Sequence, residues 1–394
     1  MGGTLNNVHN NVSYALHLHS EAMVKLQEQA STGSRINRPS DGPSTAYRVM
    51  GLDSQGRSLS NYVETIEQSS DMMEMGLSVV ESMISSVADA KVNLTQIVGG
   101  IYGQEGRDRI ADGIDDILEQ MVSLANTRHM NEYLFGGANS GTLPYSVTRT
   151  NGKITGVTYQ GSGEDRQVEM APGVESSALQ VGRDIFHLDD RGTPEFFGDT
   201  GAAVGTGTAS VKGDTWLTVT HDGSNYTLSI DDGASTVTVP SSGDVSNIAV
   251  TNGSGEVLYV DATNISSTGV DLVSIPGTHD LFGTLITARD VLRNDRGLPE
   301  NQLDEIRTNV ISSLEEVRSH LVDKSVVMGS RIGFMAKLKE SVENMKAGTE
   351  DEAAMLEEAD ITQIAIDLSE RQLLYQMSLS AAGRIMSMSL LDFI

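Results

Sequence analysis

The stretch Leu59–Ile101, LSNYVETIEQSSDMMEMGLSVVESMISSVADAKVNLTQIVGGI, decides the fold. Taken at alternating steps of four and three, it presents Leu59, Val63, Ile66, Ser70, Met73, Leu77, Val80, Ile84, Val87, Lys91, Leu94, Val98 and Ile101. Only Ser70 and Lys91 interrupt an apolar line about six heptads long, and a period of 3.5 keeps such a stripe against a partner helix. As a straight helix the stretch is roughly 65 Å long at about 1.5 Å per residue. It needs partners of similar length, and the rest of the chain must supply them.

Downstream, Gly99-Gly100, with Gly103 and Gly106 beyond, reads as a turn between antiparallel helices. It has no preceding strand and no Lys-Ser/Thr, so it is not a phosphate loop. Glu105–Tyr133 then carries Ile110, Ile114, Ile117, Met121 and Leu124 at helical spacing. Helical patterning returns at Asp280 with Leu281, Leu285 and Leu292, and breaks at Asp295–Pro299. Leu303, Ile306, Val310, Leu314, Val317 and Leu321 follow, continued by Met328, Ile332, Met335, Leu338, Val342 and Met345. This is the long partner.

The two ends of the chain are also heptad-like. Leu5–Gln29 places Leu5, Val8, Val12, Ala15, His19, Ala22 and Leu26 on one stripe of small side chains, a shallow seam that is marginal alone. His17 and His19, two apart, lie on different helix faces and do not form a metal pair. Near the C-terminus, Ile361, Ile364, Leu368, Tyr375, Leu379, Ala382, Met386 and Leu390 form one stripe. Leu374, Met377, Ala381, Ile385 and Met388 form a second. Two stripes require burial from more than one side. One shallow N-terminal helix cannot provide that, but further copies of the chain can.

Between about Gly141 and Gly277 the period changes to two. Trp216–Thr220, Tyr226–Ile230 and Thr236–Val239 alternate and are separated by Asp222-Gly223 and Asp232-Gly233, a strong hairpin signal. Lys153–Tyr159 and Val257–Val260 read as two more strands. Residues 141–280 hold 18 acidic and 6 basic residues, a net charge of −12. The Asp/Gly cluster around Asp231 lacks the Asp-x-Asp-x-Asp-Gly register and distal Glu of a calcium loop.

Composition narrows the function. With 27 basic against 54 acidic residues the formal charge is −27, which opposes binding to nucleic-acid phosphates or anionic membrane surfaces. The chain has no cysteine, and so no disulfide, thiolate nucleophile or Cys-ligated metal. Met1–Asn11 lacks the basic and apolar regions of a secretory signal. No apolar run approaches a membrane span. No His-Glu-x-x-His, Gly-x-Ser-x-Gly or Walker loop is present. The expectation is no enzyme, no cofactor and no metal. Carboxylate pairs such as Glu315-Glu316 and Glu357-Glu358 read as solvated helix faces.

Several motifs carry a resemblance. Ser31–Pro43, containing Arg35-Ile36-Asn37-Arg38-Pro39-Ser40-Asp41, resembles the N-terminal signature of bacterial flagellins and their relatives, and is nearer their hook-associated branch. Tyr133-Leu134-Phe135-Gly136-Gly137, with Pro144-Tyr145 after it, is similar to the same branch. Met328–Ile332 resembles a Gly-Ala-Arg-Leu-Asn segment of the family, with Gly333 replacing the Asn. Asp360-Ile361-Thr362 and Ser389–Ile394 resemble its C-terminal signature. No motif covers Thr200–Gly277.

The fold expected is mainly α with an inserted all-β domain, the N- and C-terminal regions forming a long antiparallel, flagellin-like helical bundle or coiled coil. Residues 1–40 and 355–394 would be assembly helices, disordered in the monomer. Residues 41–140 and 281–354 would form a helical rod, and 141–280 an acidic, outward-facing β domain. The resemblance implies a self-assembling extracellular subunit of the bacterial flagellum, at the hook–filament junction, exported by the flagellar apparatus without a cleaved signal. A filament flagellin, or a coiled-coil adhesin whose β insert binds a surface ligand, is the alternative. The partners implied are other copies, an adjacent hook-associated junction protein, flagellin and an export chaperone, with no nucleic acid and no membrane insertion. The candidate subunit-interface residues are Leu5, Val8, Val12, Ala15, Leu26, Arg35, Asn37, Ile361, Ile364, Leu368, Leu374, Tyr375, Met377, Ile385, Met388, Leu390 and Leu391.

Overall fold

The structure, a computed structural model, describes residues 2–98, 103–177 and 180–391. Seven helices carry most of it: α1 Gly2–Thr32, α2 Pro43–Val98, α3 Gln104–Ala125, α4 Gly182–Phe186, α5 Leu281–Arg293, α6 Glu300–Glu357 and α7 Ile361–Leu391. The strands lie between α3 and α5. They are β1 Arg128–His129, β2 Glu132–Tyr133, β3 Tyr145–Thr150, β4 Lys153–Tyr159, β5 Gln167–Ala171, β6 Val174–Ser177 and β7 Glu195–Phe197. After these come β8 Ala203–Val204, β9 Gly213–His221, β10 Tyr226–Ser229, β11 Val237–Thr238, β12 Ile248–Thr251, β13 Val257–Asp261 and β14 Gly269–Ile275. The mainly helical, flagellin-like plan with an inserted β region is what the structure has.

The chain forms two compact units, Met1–Glu64 with Leu338–Ile394, and Thr65–Lys337. In the first, α1 packs along α7. Its buried positions are mostly small: Ala46, Val49 and Gly56 on α2, Val342, Thr349 and Ala353 on α6, then Ala359, with Leu59 and Ile364 as the larger members. The stripe expected to reach Met345 shifts here, because Thr349 and Ala353 turn inward while Met345 stays half exposed.

In the second unit the seam of α2 differs from the expected one. Ile66, Met73, Val80, Val87 and Leu94 are buried as read, but their partners across the seam are Ser69, Gly76, Met83, Ala90 and Ile97. Ser70, Leu77, Ile84 and Lys91 are only half-buried. The inward line is the one with small residues, and these admit close approach. A Cβ on Gly76 would stand 3.1 Å from Met328 Cε of α6. Lys91, at the edge, bonds Glu315 of α6 at 2.7 Å. Helix α3 shifts in the same way: Ala111, Ile114, Leu118, Met121 and Ala125 are buried, whereas Ile110, Ile117 and Leu124 are half-buried. It ends at Ala125, eight residues before the expected limit, because Asn126 leaves the helix and bonds Tyr145, with Nδ2 donating to its carbonyl and Oδ1 accepting from its N–H. The turn at Gly99-Gly100 and the end of the first stripe, Ile101, lie outside the described residues.

The β insertion has a five-stranded antiparallel sheet, β11-β10-β9-β14-β7, and a three-stranded one, β12-β13-β8. Both expected Asp-Gly turns join neighbouring strands, β9 to β10 and β10 to β11. Leu217, Val219, Leu228 and Val273 from the first sheet meet Val250, Leu258 and Val260 from the second in one core. The hairpins β3–β4 and β5–β6 precede these sheets.

At the base of the insertion five aromatic rings meet. Phe135 stacks edge-on against Phe186 at 5.0 Å between centroids, and Tyr145 stands 4.9 Å from Phe282 and 5.1 Å from Tyr159. The Tyr133–Gly137 motif builds this cluster. Gly137 has φ +61, and a Cβ there would lie 2.8 Å from the Glu164 and Ser162 carbonyls. Beside it Arg289, 2% exposed, donates to Asp115 at 2.8 Å and to the Ile154 carbonyl at 2.6 Å, tying α5 to α3 and β4.

Candidate assembly surface

The first unit holds the residues that the sequence marks for assembly. Its connector begins at Gly33, whose φ of +70 ends α1 in the left-handed region that favours glycine. The chain then pairs with the end of α6. Arg35 N–H donates to the Glu357 carbonyl at 2.6 Å, Arg35 Nη2 to the Leu356 carbonyl at 3.0 Å, and Ala359 N–H to the Gly33 carbonyl at 3.0 Å. Asn37 Nδ2 donates to the Ser34 carbonyl at 3.3 Å. Thus Arg35 and Asn37 tie the chain to itself. Lys25 binds Asp41 at 2.9 Å and holds its carboxyl below the usual carboxylate range. Asp360 starts α7 as its N-cap, accepting from Thr362 and Gln363 N–H at 2.9 and 3.0 Å.

Of the candidate interface positions, Val12, Ala15, Leu26, Leu368, Leu374 and Tyr375 are half-buried and Ile364 is buried. They lie on α1 and α7, which pack on each other. Ile361 and Met377 remain half to mostly exposed, Met377 at 61%. The side chains of Leu5, Val8, Ile385, Met388, Leu390 and Leu391 lie outside the described residues.

Sequence spacing missed the larger exposed set. Tyr14 and Val24 on α1, Tyr47 and Met50 on α2, Met355 on α6, and Ile366 and Leu373 on α7 all face solvent, Tyr47 at 82% and Met355 at 77%, and Leu379, which the first stripe included, is exposed as well. Arg48, between Tyr47 and Met50, bonds Glu352 at 2.9 Å, one turn before Met355. The signal was there, since Ile366, Leu373 and Met377 recur at seven and four residues, but it runs off the stripe that seemed best. Among the described residues no group of three or more His, Asp or Glu is placed to hold a metal, and no helix is long and apolar enough to cross a membrane. Asp231 takes Ser229 Oγ, Ser235 N–H and Gly253 N–H, which hold its carboxyl at about 2 and close local loops.

Paired terminal helices, two long inner helices and a β insertion make up the described structure. Residues 4–140 match the bacterial flagellin N-terminal helical region. More particularly, the chain is similar to flagellar hook-associated protein 3 of Escherichia coli (strain K12), 28% identical over 134 residues, which are 34% of this chain and 42% of that protein. The aligned stretch therefore spans less than half the length of that relative. Among solved structures, hook-associated protein 3 of Legionella pneumophila superposes with a TM-score of 0.53 at 14% identity, covering 78% of this chain and 99% of that one. FlgL of Xanthomonas campestris gives 0.51 at 19%, again covering 78% and 99%. At these identities the likeness is one of fold.

Proposed function

We propose that this protein is a structural, non-catalytic subunit of the bacterial flagellum, placed in the layer that joins hook to filament. The observation that carries the reading is the first unit, whose thin core of mostly small residues, with Leu59 and Ile364, is flanked by exposed Tyr, Leu, Ile and Met. Residues 1–40 and 355–394 gain their full packing only from neighbouring copies, and their order tightens on assembly. Residues 41–140 with 281–354 act as the stiff part and 141–280 as an outward spacer. Burying each exposed Leu, Ile or Met contributes on the order of 1.5–3 kcal/mol, enough in sum to offset the ordering entropy. The subunit leaves the cell through the flagellar export channel, accompanied inside by a chaperone, and abuts a second junction protein and flagellin.

Hook-associated protein 3, the name of the E. coli relative, favours the junction over the filament. Immunogold labelling of isolated flagella tests this. Label confined to the hook end is expected, and label along the shaft contradicts the reading. Purified chain is expected not to extend itself into long filaments.

A further inference from the structure

The root of the β insertion is held by a buried charge cluster. Two passes of chain, 188–192 and 276–279, run side by side there. Leu188, Asp190 and Gly192 N–H donate to the His279, Gly277 and Pro276 carbonyls at 2.9, 2.7 and 2.7 Å. Gly277, at φ +75, is required, because a Cβ would collide with the Asp190 carbonyl. From this neck the His279 ring, 2% exposed, spans two elements. Its Nδ1 meets Glu316 Oε2 of α6 at 2.8 Å, and its Nε2 meets Asp214 Oδ1 of β9 at 3.3 Å and Ser274 Oγ of β14 at 3.1 Å. Glu316 also accepts from Gly277 N–H at 2.7 Å, so it grips the neck twice.

An imidazole flanked by carboxylates on both nitrogens can serve both only as imidazolium, because the neutral ring has a single N–H. Ser274 completes the arrangement. Its hydroxyl donates to Asp214 Oδ1 at 2.8 Å while the ring is charged. When the ring is neutral that same hydroxyl must turn to Nε2, and Asp214, whose Oδ2 is already buried without a partner, loses both donors. We propose that His279 is a proton-held latch: charged, it ties Asp214 of β9 to Glu316 of α6, and on losing its Nε2 proton it keeps Glu316, releases Asp214 and lets β9 shift at the root of the insertion. Burial alone would lower its affinity for a proton, but Asp214 and Glu316 outweigh burial and push its pKa above the ordinary 6.5.

The other charged and titratable groups around the neck are engaged elsewhere. Asp280 caps α5, Arg191 donates to the Val211 and Ser210 carbonyls, and Glu315 holds Lys91 and Arg318. His320 bonds the Asp184 carbonyl, and burial keeps both it and His187 towards the neutral form. Asp190, on the incoming pass, and Asp323 on α6 complete the cleft over the neck and add negative charge. With a raised pKa in the folded state, the stability His279 contributes is fully present below pH 6.5 and is lost as pH rises through its folded pKa.

The chain carries its own reporter. Its single tryptophan, Trp216, is two residues from Asp214 on β9, and the Arg296 guanidinium from the α5–α6 connection stacks over it at 4.8 Å. In the full-length protein, histidine NMR resonances and Trp216 fluorescence are followed together from pH 5 to 9. His279 is expected to titrate above 6.5, and the fluorescence to step at the same midpoint. Asp214→Asn and Glu316→Gln each move both midpoints down by about one unit, a tenfold change in proton affinity, while Ser274→Ala moves both up. His279→Gln removes the step. The latch is refuted if His279 titrates at or below 6.5, if the two midpoints part, or if the step survives in His279→Gln. Should that variant fail to fold, the opposed shifts of Glu316→Gln and Ser274→Ala decide alone.

Discussion

The two compact units solve opposite problems with the same helices. In Thr65–Lys337, α2 and α6 bury Met73, Val80, Val87, Leu314 and Leu321 almost completely, and an aromatic cluster with a buried arginine closes the base of the β insertion. In the unit made by the chain ends, the same two helices contribute Leu59 and otherwise small residues such as Ala46, Val49, Val342 and Ala353 to the inside and leave Tyr47, Met50 and Met355 in solvent. On the proposed reading, the second unit stands alone and the first is completed by neighbouring copies.

Substitutions of one chemical kind should therefore act differently in the two units. The largest effect is expected from Leu373→Ser combined with Met377→Ser. It should remove on the order of 3–6 kcal/mol from association between copies, at about 1.5–3 kcal/mol for each buried side chain. The monomer should stay within about 0.5 kcal/mol of the parent in urea unfolding, and incorporation into flagella should fail. Phe135→Ala should do the reverse. It costs about 3–5 kcal/mol of folding stability, read by urea titration, and leaves the exposed apolar set of the first unit untouched. Arg289→Met comes next, at about 3 kcal/mol, because it removes the cation from Asp290, leaves Asp115 with Arg293 alone and takes the Arg289 donor from the Ile154 carbonyl.

The smallest effect concerns acid. Arg318 first, then Lys91, hold the Glu315 carboxyl at about 2, below its ordinary 4.5. A carboxylate whose folded pKa is depressed contributes stability above pH 4.5 that is lost as pH falls towards 2. Glu315 is more than one-third exposed, so solvent screens the pair and the contribution is slight. Glu315→Gln should lower stability slightly at neutrality and flatten the acid limb of a stability–pH curve between 4.5 and 2, so that the two curves converge in acid.

Much of this contrast was legible in the sequence, and the misses share a physical cause. The heptad of α2 was found from its large residues, but its second line was assigned to Val63, Leu77 and Ile84. The helix instead buries Ser69, Gly76 and Ala90, where smallness rather than hydrophobicity wins a place against α6. The same bias hides Ile366 and Leu373, which are exposed beside Met377, because they lie off both of the more apolar stripes. Strand β14, Gly269–Ile275, was missed because it is covered on both faces around Asp271 and shows no clean alternation. Strand β3 was missed although Asn151-Gly152, both at positive φ, is the hairpin signal that joins it to β4. The meeting of Phe135, Tyr145, Tyr159, Phe186 and Phe282, and of Arg289 with Asp115, joins residues far apart in the chain, which no local period can show.

Amide hydrogen exchange on a proven monomer and on the assembled junction tests the central claim most directly. Weak protection of α1 and α7 in the monomer beside strong protection of α2 between Thr65 and Val98, with both terminal helices becoming protected on assembly, is the predicted result. Terminal helices as slow to exchange in the lone chain as in the assembly would contradict it.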